Sequence, residues 1–246
     1  MKIRELDYAD TPWGEISLRE RWDPITERDV YEVKLGDDFL MSSQFTTGEE
    51  ELSRIALAAV PGAGPLTVVV GGLGLGYTAL AALEDGRVAE LTVIEALPAV
   101  ISWHERDLLP DTAGMAADPR VRLVRDDFFD VVRTGRADRT YDAVLVDIDH
   151  APDWLLREDH GDLYTAEGFG RVGAMLTDDG VFALWSDEPP EPEVVQRMSV
   201  AFKHADAHVV PFPNPITGGH SSNTVYLAGG PRRDDIVAWA RNHPAT

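Results

Sequence analysis

The sequence predicts an α/β fold: a seven-stranded, mostly parallel sheet with an antiparallel last strand, preceded by a small β-rich module. Runs such as Val68-Val69-Val70 and Ala143-Val144-Leu145-Val146 are apolar without alternation, as strands buried on both faces must be. Such runs recur with segments of helical spacing between them, the pattern of parallel strands joined by helices. The last two strands are linked by a loop too short for a crossover helix, so the final strand reverses direction.

Residues 1–60 form the β-rich module and its linking helix, and residues 61–246 the larger domain. In the module, Trp13–Arg19, Val30–Leu35 and Asp37–Leu40 alternate polar and apolar positions, with Gly36-Asp37-Asp38 as a hairpin turn. Thr47-Gly48-Glu49-Glu50 reads as a capping box ahead of Leu52, Ile55, Ala56 and Ala59, which recur at helical spacing. Pro61-Gly62-Ala63-Gly64-Pro65 ends that helix. Strands are then expected at 66–71, 91–95, 121–125, 143–147, 181–186, 208–212 and 224–228, with helices near 77–84, 97–108, 127–133, 165–176 and 192–202. The loop over residues 213–222 reads equally as a mobile lid or as a hairpin excursion.

Composition narrows the function. The 246-residue chain carries a formal charge of -21, which argues against nucleic-acid partners and fits either solubility or attraction of a cation. It has no cysteine, so disulfides, thiolate catalysis and Cys-ligated metals are excluded. No apolar run reaches the roughly 18 residues of a membrane helix, and the charged N-terminus shows no signal-peptide core. A cytoplasmic enzyme without membrane association is the expectation.

The organising stretch is Val68 to Thr78, a buried strand that runs into Gly71-Gly72-Leu73-Gly74-Leu75-Gly76 and then a helix. Glycines let a ligand approach the backbone, and the helix start offers unpaired N–H groups. Gly72, Gly74, Leu75 and Gly76 are therefore candidate cofactor contacts, for an adenosyl sulfonium or for a dinucleotide. Glu95 closes the next strand, where a carboxylate can take both ribose hydroxyls. Asp126, Asp127 and Phe128 close the third, where an acid can accept the adenine amino group and a ring can pack on the base. Asp126 could instead cap the following helix. The glycine turn, Glu95 and Asp126 on three successive strand ends together favour an adenosyl nucleoside over a dinucleotide.

The fourth strand delivers Asp147, Asp149 and His150 to the same rim. These are the candidate catalytic residues: a carboxylate there can hold a cationic amine and take its proton, since only a neutral amine attacks a sulfonium carbon. The lesser alternative has Asp149 and Asp153 capping a helix and His150 merely exposed. Tyr164, Trp185 and Asp187, with Phe212, are candidates for the acceptor pocket. Asp187 and Glu188 with Asp147 could ligate Mg²⁺ through oxygens, but no metal site is assigned.

From Gly71 to about Ala228 the chain resembles the spermidine synthase-like branch of the class I S-adenosylmethionine-dependent transferases. The resemblance rests on the glycine turn, Val93-Ile94-Glu95 with Pro98, Arg125–Phe128, Tyr141–Asp147 and Leu163-Tyr164-Thr165. It implies a Rossmann-like class I methyltransferase fold, Glu95 on ribose, Asp126 near adenine and Asp147 facing the attacking amine. Polyamine aminopropyltransferases usually carry an Asp in the glycine turn that contacts the ammonium of decarboxylated S-adenosylmethionine; the matching position here is Leu75. Their Asp-Ser-Ser-Asp-Pro is replaced by Asp147-Ile148-Asp149-His150-Ala151-Pro152.

The expected function is alkyl transfer from S-adenosylmethionine or its decarboxylated form to a small, amine-bearing acceptor. Leu75 tips the expectation towards methyl transfer, with polyamine aminopropyl transfer close behind. A nucleoside-binding module without catalysis, or an NAD-dependent oxidoreductase, would also fit the glycine turn. The family is often dimeric, although nothing in the sequence marks an interface.

Overall fold

The computed structural model describes residues 3–232. Four strands, β1 (Ile3–Thr11), β2 (Gly14–Asp23), β3 (Arg28–Leu35) and β4 (Asp38–Ser42), form an antiparallel meander in chain order. Alternation turns Ile16, Leu18 and Val33 towards the main core, and all three are fully buried. β1 is not legible in the sequence: it carries Glu5, Asp7 and Asp10, and its register shifts between Glu5 and Asp7, which breaks the period of two.

Helix α1 (Thr47–Ala59) follows, but the expected capping box does not form. Thr47 already lies inside the helix; the preceding Thr46 makes no side-chain bond to backbone and instead donates its hydroxyl to the Glu50 carboxylate at 2.9 Å.

The larger sheet is built from β5 (Leu66–Gly71), β6 (Val88–Glu95), β7 (Val121–Arg125), β8 (Tyr141–Val146), β9 (Leu176–Ser186), β10 (Phe202–Asn214) and β11 (Gly219–Pro231). Its helices are α2 (Tyr77–Glu84), α3 (Pro98–Glu105), α4 (Phe128–Thr134), α5 (Ala166–Ala174) and α6 (Pro192–Ala201). The strand order is β10-β11-β9-β8-β5-β6-β7, and β11 alone runs against its neighbours, pairing antiparallel with both β9 and β10. The expected topology is therefore present. α3 stops short of its expected end near residue 108, because Asp107 takes a left-handed φ of 50°. The segment 213–222 is hairpin ladder and not a lid: Pro213 pairs with His220 and Asn214 with Gly219 around a turn at 215–218.

β5 lies between β6 and β8, so the chain leaves it on one side and returns on the other. Such a switch point opens a crevice at the carboxyl ends of the strands. The sheet separates two buried clusters. One joins Val68, Val70 and Trp103 to Leu52 of α1 and to Ile16, Leu18 and Val33 of the module; the other gathers Phe128, Phe169, Phe182 and Phe202 under α4–α6. Asp7 anchors the module further, accepting from Trp103 Nε1 at 2.8 Å and from Arg106 at 2.9 Å. Among the described residues no helix is long and apolar enough to cross a membrane.

Candidate active site

The glycine turn is braced from behind. His104, which burial holds below the usual imidazole range, donates from Nε2 to the Gly74 carbonyl at 2.9 Å, and the Thr112 hydroxyl donates to the Leu75 carbonyl at 3.1 Å. From the front, the Leu73 amide donates to one oxygen of Glu95 at 3.0 Å, while the other oxygen accepts from Leu97 at 2.7 Å. Burial raises the Glu95 carboxyl, and these amides oppose the rise.

The third strand end differs from the sequence expectation. Asp126 is paired with Arg136 at 2.9 and 3.2 Å, which holds its carboxyl below the usual range. The helix cap is Asp127, not Asp126: its carboxylate accepts from the Phe129 and Asp130 amides at 2.9 and 3.3 Å. Phe128 is buried beneath the turn, where a Cβ on Gly71 would stand 2.6 Å from its ring.

At the fourth strand end the candidates divide. Asp147 stays at the rim. Its amide donates to the Gly71 carbonyl at 2.9 Å, and its carboxylate accepts from the Thr78 hydroxyl at 2.6 Å. Burial pushes its carboxyl up to about 6, against the pull of Thr78. Asp149 is a correction: the chain turns it inward, where it accepts from His160 Nδ1 at 2.8 Å, the Leu156 amide at 2.8 Å and the Tyr164 hydroxyl at 2.7 Å. Tyr164 is a second correction, since it is buried on that carboxylate and does not line the pocket. Asp149 does not cap a helix; with His160 stacked on Phe129 at 3.7 Å, it ties down the loop after β8. Asp149→Ala would strand two side-chain donors and a backbone amide. We expect a loss of roughly 2–5 kcal/mol in thermal or denaturant unfolding.

His150, Trp185 and Asp187 do reach the rim. With Asp147 they line a cavity of about 460 Å³ that opens between β4, the glycine turn and the β10–β11 hairpin. Asp187 accepts from the Asn223 amide at 2.8 Å, and His150 packs against Trp154 with centroids 4.8 Å apart. Gly72, Glu95, Asp126, Asp127 and Phe128 lie outside the lining, whereas Leu73, Gly74, Leu75 and Gly76 belong to it. Leu75 is itself only 5% exposed. Phe39, Phe45, Trp154 and Phe212 add an aromatic mouth, and Phe45 packs on Phe212 at 5.4 Å.

One acid in the lining escapes the sequence reading. Glu49 of α1 faces the cavity with Asp147 and Asp187. Its local pattern suits a helix cap, which conceals this role. Burial pushes its carboxyl up to about 8, aided by the charge of Asp147 and, more weakly, of Asp187. Glu49 and Asp147 therefore titrate as an interacting pair. No group of three or more His, Asp or Glu side chains among the described residues is placed to hold a metal ion.

The fold and the rim place the chain among open, doubly wound α/β sheets with a site at the strand carboxyl ends. Residues 49–223 match the spermine/spermidine synthase domain, and the chain belongs to that family. A polyamine aminopropyltransferase of Corynebacterium efficiens is 32% identical over 146 residues, covering 58% of this chain and 27% of that protein. One of Pyrobaculum calidifontis is 30% identical over 174 residues, covering 70% of this chain and 56% of that protein. The chain thus spans between about a quarter and just over half of these relatives' lengths. The spermidine synthase structure from Thermotoga maritima superimposes with a TM-score of 0.71 at 19% identity, covering 92% of this chain and 73% of that one. A spermidine synthase bound to the transition-state analogue AdoDATO gives 0.69 at 18% identity, covering 92% and 72%. At that identity the likeness concerns the fold alone.

Proposed function

We propose that this chain transfers an aminopropyl group from decarboxylated S-adenosylmethionine to an amine acceptor. The observation that carries the reading is the convergence of Glu49, Asp147 and Asp187 on one cavity beside the glycine turn. Three carboxylates around a desolvated space favour cationic amines over neutral or anionic ligands. The expectation of methyl transfer is withdrawn. It rested on the missing charge at Leu75, but that side chain is nearly buried and the cavity is acidic without it. The similar proteins of Corynebacterium efficiens and Pyrobaculum calidifontis are aminopropyltransferases by name, which points the same way.

In this reading the glycine turn and Glu95 hold the adenosyl group, and Asp147 orients the acceptor amine and takes its proton. The amine nitrogen forms a bond to the carbon of the three-carbon chain that is attached to sulfur. That carbon–sulfur bond breaks, its electron pair stays on sulfur, and neutral methylthioadenosine leaves. With decarboxylated S-adenosylmethionine and putrescine, the chain is expected to release methylthioadenosine and form a longer polyamine. Release of S-adenosylhomocysteine from intact S-adenosylmethionine, with no methylthioadenosine from the decarboxylated donor, would reverse the assignment.

A further inference from the structure

We infer that the carboxylate of Glu49 binds the primary ammonium of the donor's three-carbon chain and so sets the preference for decarboxylated over intact S-adenosylmethionine. The inference rests on the aminopropyl-transfer reading above. Its basis is how firmly α1 is fixed against the glycine turn. Ser53 donates to the Thr78 carbonyl at 2.6 Å, and the Thr78 hydroxyl lies 3.3 Å from the Glu49 carbonyl while bonding Asp147 at 2.6 Å. Gly48 packs so tightly that a Cβ would stand 2.4 Å from Asn223 Oδ1 and 2.5 Å from Trp185 Nε1. The backbone of residue 49 has no latitude, and its side chain enters the cavity beside the turn.

The three acids of the cavity are not equivalent. Asp147 is bonded by Thr78 and Asp187 by Asn223. Glu49 has no side-chain donor among the described residues; its carboxylate accepts from its own amide. A buried carboxyl in that state is the one of the three left open to an arriving ammonium, because no side-chain donor has to be displaced before a charge-assisted bond forms. The charged groups acting on it are Asp147 just after β8, Asp187 just after β9 and Glu50 of its own helix, all acidic, and His150 lines the same cavity. An intact donor would bring its own carboxylate into this field and be repelled. Position 75 supplies no charge, so this discrimination falls to α1, a different element from the turn that cradles the nucleoside.

The sign of the linkage adds a second readout. Burial raises the Glu49 carboxyl above its ordinary range, so at pH 7, before the donor arrives, it holds a proton that an incoming ammonium expels. The same rise means that Glu49 lowers fold stability progressively between about pH 4.5 and about pH 8. Glu49→Gln removes that loss. At pH 9 the variant is therefore expected to melt at least as high as the unsubstituted chain, with the difference vanishing below about pH 4.

The experiment titrates both donors into the unsubstituted chain, Glu49→Gln, Glu49→Ala and the control Glu51→Gln, by calorimetry in buffers of different ionisation enthalpy. Affinity for the decarboxylated donor is expected to fall at least about tenfold in both Glu49 variants, while affinity for the intact donor is unchanged or rises. Proton release should disappear with it, and Glu51→Gln should behave as the unsubstituted chain does. An unchanged ratio of the two affinities, or an equal loss of both, would overturn the role of Glu49 and leave the aminopropyl reading standing. Failure of the unsubstituted chain to bind the decarboxylated donor would instead overturn that reading.

Discussion

Asp147→Asn is expected to retain donor affinity within about twofold and to lose at least about tenfold in kcat, within the roughly 10²–10⁴-fold range of general-base assistance. The substitution keeps shape and the acceptor for the Thr78 hydroxyl, which bonds Asp147 at 2.6 Å, so the rim should stay in place. What it removes is the capacity to take the acceptor's proton. Burial pushes this carboxyl up to about 6, so in the unsubstituted chain kcat/KM should fall as pH drops through that value, because a protonated base cannot accept. The variant should lack that inflection. Steady-state rates across pH, with donor binding measured separately, check both parts. Unchanged turnover would make Asp147 a structural residue of the β8 end.

Gly72→Ala should be more damaging to binding than to any single chemical step. Gly72 has φ of +91°, and a Cβ there would stand 2.2 Å from the Asp147 carbonyl oxygen. Backbone strain alone costs about 1–3 kcal/mol, and the clash cannot be relieved by rotating a side chain. The ends of β5 and β8 must part, which displaces the turn and Asp147 together. We expect a destabilisation of about 2–4 kcal/mol and at least about a hundredfold loss in donor affinity, measured by thermal unfolding and calorimetry. A variant that binds the donor normally would show that the turn does not cradle it.

The sheet is largely legible in the sequence because burial on both faces leaves a strong local trace: Val68-Val69-Val70 and Ala143–Val146 admit little besides parallel strands. β1 leaves none, since its charged residues and bulge erase the alternation. The site is legible at strand ends, where position in the chain and position at the rim coincide, as for Asp147 and Asp187. It is misleading where the chain turns before reaching the rim. Asp149 lies two residues beyond Asp147, yet the loop carries it inward to His160 and Tyr164, partners 11 and 15 residues away that no local pattern announces. Glu49 is hidden for the opposite reason: Thr-Gly-Glu-Glu suits a helix start so well that its tertiary role leaves no separate mark. The bracing of the turn by His104 and Thr112 likewise depends on contacts 30 and 37 residues apart.

The Gly71 carbonyl accepts from the Asp147 amide at 2.9 Å, and the Gly72 amide donates to the Ile94 carbonyl at 2.9 Å. The glycine turn and the candidate base are thus tied through main-chain bonds that do not depend on side-chain identity. Under the proposed function, alignment of donor and base would be inherited from the sheet, with little reorganisation left to supply when the substrates meet. The residues around the mouth, Phe39, Phe45, Trp154 and Phe212, stand outside this frame. Under the proposed function, exchange of mouth residues would alter acceptor choice without moving the turn or Asp147.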